Sequence, residues 1–145
     1  KAKERQDKNS NAQISFLADI PKNLPALSQA AKIQKRCAHV GFDWHNIDDV
    51  FAKVVEEVEE VKQELHQSPE LLAEEIGDLL FAVVNLCRHA KQDPENLLRQ
   101  ANKKFTQRFH QVEAQVRESN KTFEQHDLEQ LEQYWQEAKK VTKKL

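Results

Sequence analysis

Only two glycines, Gly41 and Gly77, occur in 145 residues. A chain so poor in the residue that tight turns demand has little means of building a turn-rich β architecture or a glycine-rich phosphate loop. Its breaks fall instead at helix punctuation. Gly41 closes a segment that starts near Pro25 and runs to about Val40. The turn Gly41-Phe42-Asp43-Trp44 leads into a second helix, roughly Ile47 to His66. Ser68-Pro69 supplies an N-cap and a first-turn proline for a third, about Pro69 to Lys91. Asp93-Pro94 repeats that signal for a fourth, about Pro94 to Glu118, with Leu98, Ala101, Phe105, Phe109, Val112 and Val116 on its core face. After a polar gap around Ser119 to His126, Asp127 with Gln130 forms a capping box for a final helix through Trp135. No strand pattern competes, and there is no internal repeat. The expectation is an all-α protein of the four-helix-bundle type, with short hairpin connections.

Length and composition suit one domain with a real core: 39 % hydrophobic and 32 % charged residues, with a net charge of −2. That balance carries no bulk basic field, so no nucleic-acid partner is expected. The lysine pairs Lys139-Lys140 and Lys143-Lys144 read as a solvated tail. No apolar run approaches the ~18 residues of a membrane span, so no membrane partner is expected either. Cys37 and Cys87 lack a CxxC partner and suit a reducing, cytoplasmic setting. Lys1 to Ser15 is polar and reads as linker or frayed helix, followed by an arm with Phe16, Leu17, Ile20 and Leu24 as packing points. The first residue is Lys1 rather than methionine, so the sequence is expected to be a fragment whose native N-terminus lies outside it.

Chemistry concentrates in acids. Glu57 and Glu60, then Glu75 and Asp78, are each spaced i, i+3. Each pair therefore puts two carboxylates on one helical face about a turn apart. Antiparallel pairing of the second and third helices would gather all four, and a hard cation such as Mg²⁺ would relieve their repulsion. The third helix is apolar around most of its circumference (Leu72, Ile76, Leu80, Phe81, Val83, Val84), so it reads as buried. Carboxylates inside it would cost several kcal/mol each, by order of magnitude, unless paired or metal-bound. A solvated acidic face for Glu56 to Glu64, and a structural salt bridge for the second pair, are the plainer alternatives.

Lys104 and Arg108, spaced i, i+4, border the apolar face of the fourth helix and are expected to point toward the bundle. They read either as snorkelling side chains and partners of the acids, or as ligands for phosphate oxygens. Acids that hold metal, with cations nearby, suit a polyphosphate substrate. Cys37, His39 and His45 fit no zinc spacing. Trp44 and Trp135 read first as packing anchors.

The assembled residues resemble the MazG nucleoside triphosphate pyrophosphohydrolases, and in particular the C-terminal half of the bacterial two-domain form. The resemblance rests on Glu56, Glu57 and Glu60 as Glu-Glu-x-x-Glu, followed by Glu74-Glu75-Ile-Gly-Asp78-Leu-Leu-Phe. It extends to Ile33-Gln-Lys-Arg-Cys37, Val40-Gly-Phe-Asp-Trp44, Val84-Asn-Leu-Cys-Arg-His89 and Ala101-Asn-Lys-Lys-Phe105 with Arg108-Phe109, and so covers the chain from Ile20 onward. Thr106-Gln107 departs from the Glu-Arg common there.

What the resemblance implies is an enzyme that hydrolyses a nucleoside triphosphate between the α and β phosphates, giving a monophosphate and pyrophosphate, with Mg²⁺ and with Mn²⁺ as a second candidate. It implies Glu57, Glu60, Glu75 and Asp78 as metal ligands and Glu56 as a group that orients or deprotonates water. Lys53, Glu74, Lys104, Arg108, Trp135 and Lys139 are implied near the substrate. It further implies a homodimer, a missing sister domain upstream, residues 1–19 as the link between halves, and residues 20–145 as the catalytic domain. Base preference would rest on a few side chains, with Gln34, Arg36 and Trp44 as candidates. The contrasting reading is a non-catalytic helical dimerisation or regulatory module.

Overall fold

A computed structural model describes residues 14–143; most of the linker expected at residues 1–19 lies outside them. Among the described residues there is no strand. The elements are α1 (Ala26–His39), α2 (Ile47–Glu64), α3 (Pro69–His89), α4 (Pro94–Glu118), a 3-10 turn (Phe123–Gln125) and α5 (Leu128–Thr142). The helical expectation therefore holds. The chain divides into two compact units, one ending at Glu95 and the other starting at Asn96.

In the first unit α2 and α3 pack along each other as a hairpin, and α1 lies against α3. The punctuation read from the sequence sets their starts. Asn46 caps α2 by accepting the Asp49 N–H at 2.9 Å, and Ser68, ahead of Pro69, accepts that of Leu71. The ends follow one device used twice. Gly41 and Lys91 both take positive φ, 88° and 59°. In each case the next residue's N–H reaches back to a carbonyl five residues earlier, Phe42 to Cys37 and Gln92 to Cys87. For Lys91, which carries a Cβ, that conformation costs about 1 kcal/mol. The helix consequently ends at His89, two residues short of the expected Lys91, and α2 stops at Glu64 rather than His66.

The core of this unit is small: Ile20, Val50, Ala82 and Val84, with the amides of Gln34 and Asn85 buried among them. The sequence reading of α3 as a buried helix needs correction. Leu71, Ile76, Leu80, Phe81 and Val83 are 39–55 % exposed. A helical wheel counts apolar residues around the whole circumference, whereas one hairpin partner and one crossing helix cover only part of it. Of the four expected packing points on the N-terminal arm, Ile20 is buried and Leu24 half-buried, but Phe16 and Leu17 stay exposed.

The second unit is held by side chains of α4 and α5. Val112, Val116 and Ala138 are buried, with Phe123, Leu131, Tyr134 and Trp135 packed on them. Phe109 stacks on Phe123 at 5.7 Å between ring centroids, and Phe105 meets Trp135 at 5.1 Å. Of the expected core face of α4, Val112 and Val116 are buried, while Leu98, Ala101, Phe105 and Phe109 remain exposed. The Asp127–Gln130 capping box forms with bonds of 2.8 and 3.0 Å. It starts a helix that runs to Thr142, seven residues past the expected end at Trp135.

Candidate functional site

The α2–α3 hairpin turns the two i, i+3 acid pairs toward each other. Glu57, Glu75 and Asp78 each offer a carboxylate oxygen, and these oxygens all lie within 4.8 Å of one another. That spacing is roughly the span of two metal–oxygen bonds of about 2.0–2.6 Å. Glu60 stands outside this group of three, half-buried on α2. Glu75 is half-buried too, and its carboxyl is pushed above the ordinary glutamate range. Loss of water around it acts first, then the negative charges of Glu60, Asp78, Glu57 and Glu74. Asp78 is exposed, not enclosed as the wheel implied.

Lys53, one turn before Glu57, reaches Glu57 at 3.2 Å and Glu56 at 3.3 Å. These bonds raise the lysine's pKa, Glu57 contributing first. The lysine restrains the Glu57 carboxylate, which is only 12 % exposed, whereas Glu56 is 61 % exposed and open to water. Three clustered carboxylates with one cation at the rim, all oxygen donors, form a set that fits a hard divalent cation. Glu74 lies exposed beside this group.

Next to the acids a pocket of about 150 Å³ opens between α1, α2 and α3. Glu57, Asp78 and Lys53 line its polar end. Trp44, Phe81, Val50 and Ala82 form apolar walls, and the Gln34 and Asn85 amides complete it. Arg36, the third residue considered for base preference, is elsewhere: it pairs with Asp19 and donates to the Phe16 carbonyl.

A second polar cluster escaped the sequence reading. Asp43 Oδ1 accepts from Arg88 at 2.6 Å, His89 Nε2 at 2.9 Å and the Trp44 N–H at 2.9 Å. Arg88 in turn donates to Asn85 Oδ1 from Nε and from its terminal nitrogen, at 3.1 and 2.7 Å. Burial alone would raise the Asp43 pKa, but the bonds from Arg88 and His89 outweigh it and bring it down to about 2. The sequence held both segments, Val40-Gly-Phe-Asp-Trp44 and Val84-Asn-Leu-Cys-Arg-His89, but nothing in it joined them, because the partners of Asp43 lie 45 and 46 residues away.

Lys104, Arg108, Trp135 and Lys139 belong to the second unit. Lys104 and Lys139 are exposed, which corrects the inward placement expected of Lys104. Arg108 is half-buried and donates from Nε to Thr142 Oγ1 at 3.0 Å. Trp135 packs in that unit's aromatic cluster.

Comparison with known proteins places this geometry in context. Residues 46–116 match the family described as MazG nucleotide pyrophosphohydrolase domain, a span that includes every acid of the site. The chain is 48 % identical over 138 residues to a nucleoside triphosphate pyrophosphohydrolase of Escherichia coli K12, covering 93 % of this chain and 52 % of that protein. It is 40 % identical over 139 residues to the nucleoside triphosphate pyrophosphohydrolase/pyrophosphatase MazG of Thermotoga maritima, covering 96 % and 52 %. Bacillus subtilis YabN, itself uncharacterised, is 40 % identical over 142 residues, covering 97 % of this chain and 29 % of that protein. The chain thus spans about half the length, or less, of these relatives.

Proposed function

We propose that this chain is a MazG-type pyrophosphohydrolase that cleaves nucleoside and deoxynucleoside triphosphates between the α and β phosphates, releasing a monophosphate and pyrophosphate. The observation that carries the reading is the convergence of Glu57, Glu75 and Asp78 oxygens within 4.8 Å, inside the segment that matches the family. Mg²⁺, or Mn²⁺ in its place, is the cation such oxygens favour, with Glu60 as a fourth carboxylate near Glu75. When bound there, a divalent cation supplies charge neutralisation on phosphate oxygens and a lowered pKa for a coordinated water.

The chain's own residues supply the rest. Lys53 fixes Glu57 by its 3.2 Å ion pair, and its ammonium stands ready for a phosphate oxygen. Glu56, held by the same lysine and reached by solvent, serves in this reading as the acceptor of a proton from an attacking water. The pocket beside the acids keeps bulk water from whatever part of the nucleotide enters it.

The reading extends to assembly and setting. The exposed apolar side chains of α2 and α3, among them Phe51, Val55, Leu80 and Val83, suit burial against a second copy in a homodimeric bundle. Relatives about twice as long suit a two-domain protein of which this is the C-terminal half. No described helix is long and apolar enough to cross a membrane, and the two free cysteines suit the cytoplasm.

The test is release of pyrophosphate and monophosphate by the purified chain from the eight common NTPs and dNTPs, with Mg²⁺ and with EDTA. Metal-dependent release of both products is expected. A folded sample silent on all eight would overturn the reading and favour a regulatory helical module.

A further inference from the structure

Gln34 has a buried group that the reaction above does not use. The residue is 7 % exposed, and its Nε2 donates to the Phe81 carbonyl at 2.9 Å. Its Oε1 is the one buried side-chain nitrogen or oxygen among the described residues without a hydrogen-bond partner. A carbonyl only accepts, so the bond to Phe81 dictates which end of the amide is which and leaves Oε1 as an acceptor. Asn85, 4 % exposed, is oriented by the same logic. Arg88 only donates, so Asn85 must present Oδ1 to it, at 2.7 and 3.1 Å, which leaves Nδ2 as a donor.

Both amides line the pocket that Glu57 and Asp78 close at its other end. At about 150 Å³ it is smaller than the roughly 300–1,000 Å³ that whole ligands occupy, so it takes part of a nucleotide. Trp44 and Phe81 offer aromatic surface, which a planar heterocycle uses and a ribose or a phosphate does not. One acceptor and one donor on an otherwise apolar wall match the alternating edge of a nucleobase.

We propose that Gln34 is a specificity-determining residue whose Oε1 accepts a hydrogen bond from an N–H of the substrate's base, seated in this pocket with Asn85 as companion donor. The proposal rests on the nucleotide-directed function above and adds to it the group that reads the base. An acceptor left unpaired in the free protein makes a base lacking an N–H a poor guest, because the orphan stays unsatisfied when that base binds.

The experiment measures binding of nucleoside monophosphates by calorimetry in EDTA, and in parallel KM and kcat for the triphosphates with Mg²⁺. The preferred nucleotide is compared with its ring-matched analogue lacking any base N–H: purine riboside phosphate for a purine, pyrimidin-2-one riboside phosphate for a pyrimidine. The wild-type chain should bind the N–H-bearing base about tenfold more tightly, with the difference appearing in KM rather than kcat. In Gln34→Leu that preference should vanish, while affinity for the analogue changes little.

A preference that survives Gln34→Leu, or is absent from the wild type, overturns the proposal. So does equal weakening of both ligands, the mark of a residue that merely tethers α1 to α3. Should Gln34→Leu fail to fold, Gln34→Met keeps the side-chain length, and the wild-type comparison decides alone if the two ligands bind equally. If no triphosphate is hydrolysed, the enzymatic reading fails, yet monophosphate binding in EDTA still judges Gln34.

Discussion

The two units of this chain satisfy their side chains to very different degrees. The second closes its core with aliphatic and aromatic contacts, caps both the 3-10 turn and α5 with reciprocal boxes, and gives Arg108 a hydroxyl partner in Thr142. The first gathers carboxylates that repel and leaves Gln34 Oε1 unpartnered, while exposed apolar side chains occur in both, along α3 in the first and at Leu98, Phe105 and Leu128 in the second. Local rules are broken where charge and a buried amide await another body, and kept around the aromatic core of the second unit. Candidate chemistry is legible in that asymmetry as much as in any motif.

The sharpest way to break the comparison is at the acids. Glu57→Gln should lower pyrophosphate release by about 100-fold or more, since even partners of metal ligands cost 10–100-fold when removed. Circular dichroism should show the helices intact, because Lys53 retains Glu56. In the second unit, the effect should fall on stability instead. Ala138 has no exposed surface, so Ala138→Leu overpacks its surroundings and should cost about 1–3 kcal/mol. Trp44 lies in the first unit and Trp135 in the second, so single-tryptophan variants (W44F or W135F) followed in urea report each separately. The Trp135 signal should carry the loss.

Asp43 tests the one well-satisfied cluster of the first unit. Its carboxyl has a pKa of about 2 in the fold against an ordinary 3.8, so on acidification the unfolded chain takes up the proton first. The stabilisation, on the order of 1–2 kcal/mol, is complete above about pH 4 and disappears as the pH falls toward 2. Asp43→Asn should remove it at neutral pH and flatten the stability profile between pH 4 and 2, measured by urea unfolding at each pH. The smallest effect is a gain. Gly77 sits inside α3, and a Cβ there would meet nothing within 4 Å. Gly77→Ala should therefore stabilise the metal-free protein by about 0.5–1 kcal/mol in the same assay.

The elements were legible wherever a local device wrote them. Ser68-Pro69, Asp93-Pro94, Gly41 and Asp127 with Gln130 set helix ends within a residue or so, because capping is chemistry between near neighbours. Lys91 ends α3 by the same backbone turn that Gly41 uses, but without glycine to announce it. The pairing of Glu57 with Glu75 and Asp78 followed from two short-range spacings and one hairpin. What sequence spacing cannot carry is contact across long separations. Asp43 meets Arg88 and His89 only because α1 packs on α3, and the apolar wheel of α3 says nothing about how much of it finds cover within one chain.

The Asp43 cluster also bears on timing. Its Oδ1 grips the backbone N–H of Trp44 together with Arg88 and His89 at the end of α3, while the left-handed turn at Gly41 fixes the approach. The backbone bearing the tryptophan wall of the pocket is thus tied to the end of α3 without any guest. A ligand sliding against that indole need not first freeze a loop, so the entropy of ordering it is already spent during folding. Capture should then be governed by encounter rather than by waiting for the wall to form, and loosening Asp43 should slow association before it shortens residence.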